Sequence, residues 1–287
     1  EAYEKELLLN VQRDSNEIAT NSWYTDTVIE DIINDLVEKK GMTRRVASNY
    51  IYSGGLQIFT PMDPDVQRIM EEVYADLGSV LAARYLTEKE GLPAESAMVV
   101  IDPLTSDLLG VIGARGEKTG NRILNYATQT TRPPGSSIKP VSVYAPALEE
   151  GVITYGSVYD DVPLNFGTNP DRPAPWPNNF PIGYNGLTTV NKAVADSVNT
   201  IAVRVLQDLG IEKSYDYAKN KLEIKNIIDV EKRSDGTSFT DKALAPLALG
   251  QLSFGLTVRE ITAAYAPFPN GGIYNKSRSY LYVTDSS

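Results

Sequence analysis

A serine and a lysine three residues apart are the pair in this sequence best suited to chemistry. They lie in the segment Pro133-Pro134-Gly135-Ser136-Ser137-Ile138-Lys139, where Pro-Pro-Gly makes a rigid turn. Ser136 is expected at the N-cap or first position of a helix. Residues three apart share a helix face, so the Ser136 hydroxyl and the Lys139 amine can meet. Desolvation and the positive end of the helix disfavour the ammonium form, so Lys139 can act as a base toward Ser136.

Two missing residue types limit the alternatives to this pair. The chain contains no cysteine and no histidine. This excludes a thiol nucleophile, a disulfide, a thiolate metal site, Ser-His-Asp and Cys-His catalysis, and histidine-rich metal sites. A nucleophile must therefore be Ser or Thr, with Lys, a carboxylate or Tyr as its base. A protein without enzymatic activity is equally compatible with both absences.

The ordinary interpretation of the pair is a chance spacing. Ser-x-x-Lys is expected about once in a chain of this length. Here, however, Ser136 and Lys139 are the only residues with this spacing, and they follow Pro-Pro-Gly at an expected helix start. Both facts favour a catalytic pair.

A second candidate is Ser197-Val198-Asn199, at a break between two helical patterns. The Ser197 hydroxyl can relay a proton, and the Asn199 amide can bind a substrate carbonyl. Taken alone, the segment is better explained as a helix cap, because Ser and Asn both end and start helices.

The elements predicted to position these residues are two helices, a short strand and a hairpin, followed by a mainly helical part. Apolar spacing predicts a helix over Thr27–Lys40 ended by Gly41, and Asp63-Pro64 starts a helix expected to run to about Tyr85. Leu56–Thr60 alternates like a short strand, and a hairpin is predicted after it. The hairpin strands are Ala97–Ile101 and Leu108–Ile112; the helices expected after it are Ser136–Gly151, Thr188–Ser197, Thr200–Gly210, Ile211–Leu222 and one within Thr257–Asn270. The order indicates an α+β domain.

Composition excludes some functions. The chain of 287 residues is 42% hydrophobic and 22% charged, which is typical of a globular protein with a sizeable core. Its net charge of −10 argues against nucleic acid as a partner. Apolar runs such as Ala97–Ile101 are too short to cross a bilayer. A long proline-rich stretch, Val158–Gly186, has the length of loops that are usually functional or flexible.

Beyond the two candidate boxes, several segments occur in the order of a known family. Ser-x-x-Lys and a Ser-x-Asn type box belong to the motif set of the penicillin-binding proteins and β-lactamases. The chain resembles the transpeptidase domain of class A (bifunctional) penicillin-binding proteins over about residues 50–275. The segments that carry the resemblance are Ser53–Thr60, Asp63–Gln67, Val99–Pro103, Asn125–Pro140, Leu247–Gly250 and Tyr265–Gly272.

The resemblance implies a fold and a reaction. The expected fold is a β-lactamase/transpeptidase-like α/β/α sandwich with an antiparallel sheet. Ser136 would be the acylated nucleophile and one oxyanion donor through its backbone N–H, and Lys139 its base. Ser197 would transfer protons, and Asn199 would bind the substrate amide. The expected reaction is D,D-transpeptidation of peptidoglycan stem peptides ending in D-Ala-D-Ala, with β-lactams as mimics and with no metal or organic cofactor.

One family motif is missing after the second box. The Lys-Thr/Ser-Gly strand is not found there; Lys118-Thr119-Gly120 precedes Ser136 and is interpreted as a loop. We therefore expect the domain to lack its C-terminal strands in this chain and to be weakly active or inactive alone. Residues 1–90 are expected to be a linker or N-terminal region and residues 91–287 the transpeptidase domain, with the boundary near residue 90.

Further partners and rival functions follow from the same resemblance. An upstream glycosyltransferase domain and a C-terminal remainder of the same protein are expected, as is a location on the extracytoplasmic face of the bacterial membrane, anchored by an N-terminal segment outside this chain. The rivals are a D,D-carboxypeptidase or β-lactamase-type hydrolase, in which water replaces the amine, and a non-catalytic β-lactam-binding or cell-wall scaffold module.

Overall fold

The computed structural model describes residues 20–76, 94–164 and 175–285. Helix α1 spans Trp23–Lys40, four residues longer at its start than predicted, because the Ser22 hydroxyl accepts from the backbone N–H of Thr25 and caps it. Gly41 ends α1 in the left-handed conformation at φ 66°, as predicted. No helix in these three ranges is long and apolar enough to cross a membrane.

A second helix and a short strand follow α1. Helix α2 spans Arg44–Ser53, and strand β1 spans Gln57–Phe59 within the predicted Leu56–Thr60. Helix α3 spans Pro64–Ala75 with Asp63 as its N-cap, which confirms the predicted start. Helix α3 ends at Ala75, because Asp76 leaves the helical conformation, so it is shorter than the predicted run to about Tyr85. The predicted boundary near residue 90 lies outside the described residues.

The predicted hairpin is confirmed. Strand β2 spans Met98–Ile101 and pairs antiparallel with β3, Leu108–Ile112. The Gln67 side chain of α3 lies along β3, where its amide donates to Val111 O (3.1 Å) and accepts from Val111 N (2.9 Å). This side chain gives Val111 the backbone partners that a neighbouring strand would otherwise supply.

The segment that carries Ser136 is helical, but its pitch changes along its length. It begins as a 3-10 helix over Gly135–Ile138, widens to a π-helix over Pro140–Tyr144 and ends as helix α4, Ala145–Glu149. Prolines within it lack the N–H that a regular α-helix needs, which accounts for the irregular pitch. Such π segments are frequent at functional sites.

The remaining elements alternate short antiparallel pairs with helices. Strands β4 (Val158–Asp161) and β5 (Gly186–Thr189) bracket the proline-rich stretch, so its ends are more regular than predicted. The elements that follow are α5 (Val190–Ala195), α6 (Asn199–Leu209), α7 (Ile211–Asp216) with a π-helical turn over Tyr217–Lys221, β6 (Glu231–Lys232), β7 (Ser238–Phe239), α8 (Leu244–Leu249), α9 (Val258–Tyr265) and β8 (Tyr282–Thr284). The mixture of helices and small antiparallel sheets confirms the α+β class.

The three largest apolar clusters among the described residues organise these elements. One joins α1 and α3 to the hairpin, and its buried members include Trp23, Met70 and Val111. The other two lie on either side of the Gly135–Glu149 segment. One contains Val143, Tyr144, Ala147, Ile201 and Leu206, and the other contains Ile138, Val141, Ala218, Ile224 and Leu252. The helical segment after the turn at Pro134 is therefore fixed by packing on two sides.

Candidate active site

Lys139 lies at the centre of the polar cluster that contains the second box. Its side chain follows the 3-10 turn and is only 2% exposed. Its ammonium donates to Ser197 O (2.7 Å), Ser197 Oγ (3.1 Å) and Asn199 Oδ1 (2.5 Å). The structure thus brings together three of the four predicted site residues, which come from segments about sixty residues apart in the sequence.

The electrostatic setting of Lys139 disfavours its charge. Burial lowers its pKa from the ordinary lysine value to about 8. The three acceptors around the ammonium are neutral oxygens, so they satisfy its hydrogen bonds without supplying a countercharge. At neutral pH about a tenth of the molecules therefore carry a free amine at this position. An ordinary surface lysine would be neutral in fewer than about one molecule in a thousand.

Ser136 lies on the same turn but in a different environment. It is exposed, and within the described parts of the chain its hydroxyl makes no hydrogen bond. It is the second residue of the 3-10 helix, with Pro134 at the N-cap, so the predicted N-cap or first position is wrong. The helix begins one residue before Ser136, because Gly135, with φ 58°, is already its first residue.

The relation between Ser136 and Lys139 is set by the backbone. The Lys139 backbone N–H donates to the carbonyl of Ser136, which closes the turn between them. A 3-10 helix repeats every three residues, so both residues lie on one face. The predicted meeting of the two side chains is not present as a hydrogen bond, since all three donors of the Lys139 ammonium go to Ser197 and Asn199.

Ser197 has an unusual backbone conformation. It ends α5 with φ 54°, in the left-handed region that glycine usually occupies at a helix end. For a residue with a Cβ this costs about 1 kcal/mol. The serine supplies a hydroxyl that glycine lacks, and this hydroxyl lies 3.1 Å from Lys139 Nζ. Strain at a side chain that contacts the candidate base is typical of functional sites.

A second stretch of chain supports the turn that precedes Ser136. Arg132 and Leu256 exchange two backbone hydrogen bonds of 2.9 Å each. Gly250, the last residue of the Leu247-Ala248-Leu249-Gly250 segment, lies so close to Gly135 that a Cβ there would be 2.1 Å from the Gly135 carbonyl oxygen. The predicted family segment is thus in direct backbone contact with the turn before the serine.

Lys118, which begins the Lys-Thr-Gly sequence before Ser136, has a different role. It lies in a loop after the hairpin, as predicted. Its ammonium makes a buried ion pair of 2.7 Å with Asp26 of α1 and lies 5.2 Å from the centre of the Trp23 ring. These contacts hold the loop against α1.

Sequence reasoning missed the residues that hold Asn199. The backbone carbonyl of Asn178 accepts from Asn199 Nδ2, and the Asn179 side chain accepts from the backbone N–H of Asn199. The only signal for them was their position in the proline-rich stretch expected to be functional; residues 165–174 of that stretch lie outside the described residues. Among the described residues no group of three or more Asp or Glu side chains is arranged to hold a metal ion.

Comparison with known proteins identifies the family. A family model described as the penicillin binding protein transpeptidase domain matches residues 96–280. The chain belongs to the penicillin-binding protein transpeptidase family. Penicillin-binding protein 1A of Clostridium tetani is 31% identical over 270 residues, 92% of this chain and 33% of that protein. Penicillin-binding protein 2a of Streptococcus pneumoniae is 28% identical over 269 residues, 89% of this chain and 31% of that protein.

Solved structures of penicillin-binding proteins match the fold. Penicillin-Binding Protein 1A from Haemophilus influenzae aligns with a TM-score of 0.53 at 30% identity, over 68% of this chain and 26% of that one. PonA1 from Mycobacterium tuberculosis, in complex with penicillin V, aligns with a TM-score of 0.66 at 23% identity, over 91% and 63%. The expected transpeptidase-like fold and the class A resemblance are confirmed. The chain spans about a third of the length of these curated relatives.

Proposed function

We propose that this penicillin-binding transpeptidase domain is a serine D,D-transpeptidase that cross-links peptidoglycan through an acyl-enzyme on Ser136. The observation that carries the proposal is Lys139, a buried lysine with its pKa lowered to about 8, on the same helical turn as an exposed serine hydroxyl. The chain has no histidine that could serve as the base, and this amine lies on the same turn as that hydroxyl.

In the first half-reaction, neutral Lys139 accepts the Ser136 hydroxyl proton as Oγ bonds to the carbonyl carbon of the penultimate D-alanine. The backbone N–H of Ser136 donates to the developing oxyanion. The peptide bond to the terminal D-alanine then breaks, and its leaving amine receives the proton, through the Ser197 hydroxyl that lies 3.1 Å from Lys139 Nζ. Asn199 binds the substrate amide.

In the second half-reaction, an amine of a neighbouring stem peptide attacks the acyl-enzyme. Lys139 and Ser197 take up the amine's proton, a new peptide bond forms and Ser136 Oγ is released and reprotonated. A β-lactam replaces the D-Ala-D-Ala end in the first half-reaction and leaves a slowly hydrolysed acyl-enzyme. The domain would act beside a glycosyltransferase domain and with a C-terminal remainder of the same protein, on the extracytoplasmic face of the bacterial membrane to which an N-terminal segment anchors it.

The direct test is intact-mass spectrometry of the full-length protein after exposure to benzylpenicillin. We expect one covalent adduct in the parent and in Ser137→Ala, and none in Ser136→Ala. Ser137 is the matched control because it is also exposed, but its hydroxyl donates to Pro134 O (2.8 Å). Lys139→Ala should abolish acylation with the fold retained. An adduct that survives in Ser136→Ala would refute the assignment of the nucleophile.

The same protein separates transfer from hydrolysis. With a D-Ala-D-Ala peptide and an added acceptor amine, a transpeptidase yields the cross-linked peptide, and a carboxypeptidase yields only the shortened acid. Loss of penicillin with no lasting adduct would indicate a β-lactamase. A protein that binds penicillin without any covalent adduct would be a scaffold.

A further inference from the structure

Helix α6, which begins at Asn199, lacks a cap from its own sequence. Its N-cap residue, Val198, is apolar and makes no side-chain hydrogen bond to the first turn. The first N–H groups of a helix need acceptors from elsewhere. Here the Asn179 side-chain oxygen accepts from the backbone N–H groups of Asn199 (2.9 Å) and Thr200 (3.3 Å). A side chain twenty residues earlier therefore caps the helix that starts with a site residue.

The other end of the Asn179 amide is held as well. Its Nδ2 donates to Asp161 Oδ1 (2.7 Å) and to the backbone carbonyl of Gly183 (2.9 Å). Asp161 lies at the end of β4 and is fully buried. The same carboxylate oxygen accepts from the Thr200 hydroxyl (2.5 Å), so Asp161 holds both the capping side chain and the capped helix.

Asp161 is suited to this role only as an anion. Its second oxygen accepts from the backbone N–H of Asn185 (2.8 Å) and from Asn185 Nδ2 (3.4 Å). Burial alone would raise its pKa, but the hydrogen bonds from Thr200, Asn179 and Asn185 outweigh burial and hold the pKa below the usual aspartate value. Asp161 is therefore ionised at neutral pH and accepts at every position, which fixes the orientation of the Asn179 amide.

This network ends at Lys139. With the start of α6 fixed, the Asn199 side chain is held at both ends: its Oδ1 accepts from Lys139 Nζ (2.5 Å) and its Nδ2 donates to Asn178 O (2.7 Å). Asn178 and Asn179 are adjacent, so one loop fixes both the backbone and the side chain of Asn199. Movement of this loop would open the buried Lys139 site to water.

We propose that Asp161 and Asn179 are positioning residues of the acyl-transfer site, which hold Asn199 against Lys139 and keep water away from the amine. This inference rests on the proposed function and extends it to two residues that touch neither Ser136 nor Lys139.

The test replaces the carboxylate by its isosteric amide. Asp161→Asn has only one acceptor oxygen in place of two and must turn an NH2 group toward one set of donors. The matched control is Asp160→Asn, the same change on the neighbouring residue of β4, which is exposed and points to the opposite side of the strand. Thr200→Val is a milder second variant, which removes one hydrogen bond to Asp161.

The first readout is the titration of Lys139 itself in the full-length protein. Lysine labelled with carbon-13 at Cε reports protonation by NMR, and Lys139→Met assigns the signal. We expect the midpoint near pH 8 in the parent and in Asp160→Asn. In Asp161→Asn it should rise by at least about one pH unit toward the ordinary lysine value, and in Thr200→Val by less. Loss of a negative charge alone would lower the midpoint, so a rise indicates water at the amine.

The second readout is the benzylpenicillin acylation rate at pH 7.5. Each pH unit of rise in the Lys139 midpoint removes about nine-tenths of the neutral amine, so Asp161→Asn should be about tenfold slower than Asp160→Asn. An unchanged midpoint in both Asp161→Asn and Thr200→Val would overturn the positioning role. A parent that forms no adduct would overturn the proposed function instead, and the NMR titration would still decide whether Asp161 positions Lys139.

Discussion

Lys139 should make the stability of the domain depend on pH in a way that one substitution removes. In the unfolded chain its pKa is that of an ordinary lysine, and in the folded domain burial lowers it to about 8. The unfolded state therefore binds more protons between these two values, so the stability that Lys139 contributes rises with pH across that window. Below about pH 8 the folded state carries the full cost of burying an ammonium.

The magnitude follows from the pKa difference. The fall of the Lys139 pKa from the ordinary lysine value of 10.5 to about 8 corresponds to about 3 kcal/mol of destabilisation at pH 7. By pH 10 about 2.5 kcal/mol of this is recovered, because the folded-state amine is then neutral and the domain no longer buries an ammonium. Lys139→Met removes the titrating group. It also leaves Ser197 and Asn199 without their donor, a loss that does not depend on pH and cancels when two pH values are compared.

The assay is urea unfolding of the 287-residue chain at pH 7 and pH 10. The free energy of unfolding of the parent, relative to Lys139→Met, should increase by about 2.5 kcal/mol between the two. Lys192→Met is the control: Lys192 is exposed on α5 and paired with Asp196, so its curve should run nearly parallel to the parent's. Parallel curves for the parent and Lys139→Met would show instead that the Lys139 amine is not desolvated in the folded domain.

Three other substitutions separate the effects of the site from those of the scaffold. Gly250→Ala puts a Cβ 2.1 Å from Gly135 O and should slow acylation by more than about tenfold, which is a rise of at least about 1.4 kcal/mol in the activation barrier. Gly41→Ala is the control, because Gly41 has a similar φ but open space around it. This change should cost only about 1 kcal/mol of stability and leave the penicillin acylation rate unchanged. Lys118→Ala leaves the buried Asp26 carboxylate without its ion-pair partner. It should lower the free energy of unfolding in urea by about 3 kcal/mol and leave the acylation rate per folded molecule unchanged. A selective loss of acylation would mean that Lys118 acts in the site.

The sequence was sufficient where a local signal determines the structure. Asp63 before Pro64 predicted the start of α3, Gly41 predicted the end of α1, and two β-branched runs around a turn predicted the hairpin. Lys139 could be singled out because its spacing from Ser136 matches a family motif and the chain has no histidine. Each of these signals spans only a few residues, so no tertiary contact was needed to interpret it.

The rest depends on contacts between distant segments. Asn179 caps a helix whose own N-cap position is occupied by Val198, and its partner Asp161 precedes it by eighteen residues. Nothing in the spacing of these residues distinguishes them from ordinary loop and strand positions. The same holds for the placement of the helical segment after Gly135, which is fixed by packing between two apolar clusters.

If a neutral Lys139 amine activates the Ser136 hydroxyl, the acylation of Ser136 must follow the titration of that amine. The rate of benzylpenicillin adduct formation, mapped to the peptide that contains Ser136, should rise with pH and level off above a midpoint close to 8. A rate independent of pH between 6 and 10, or one that keeps rising to the ordinary lysine pKa, would contradict it.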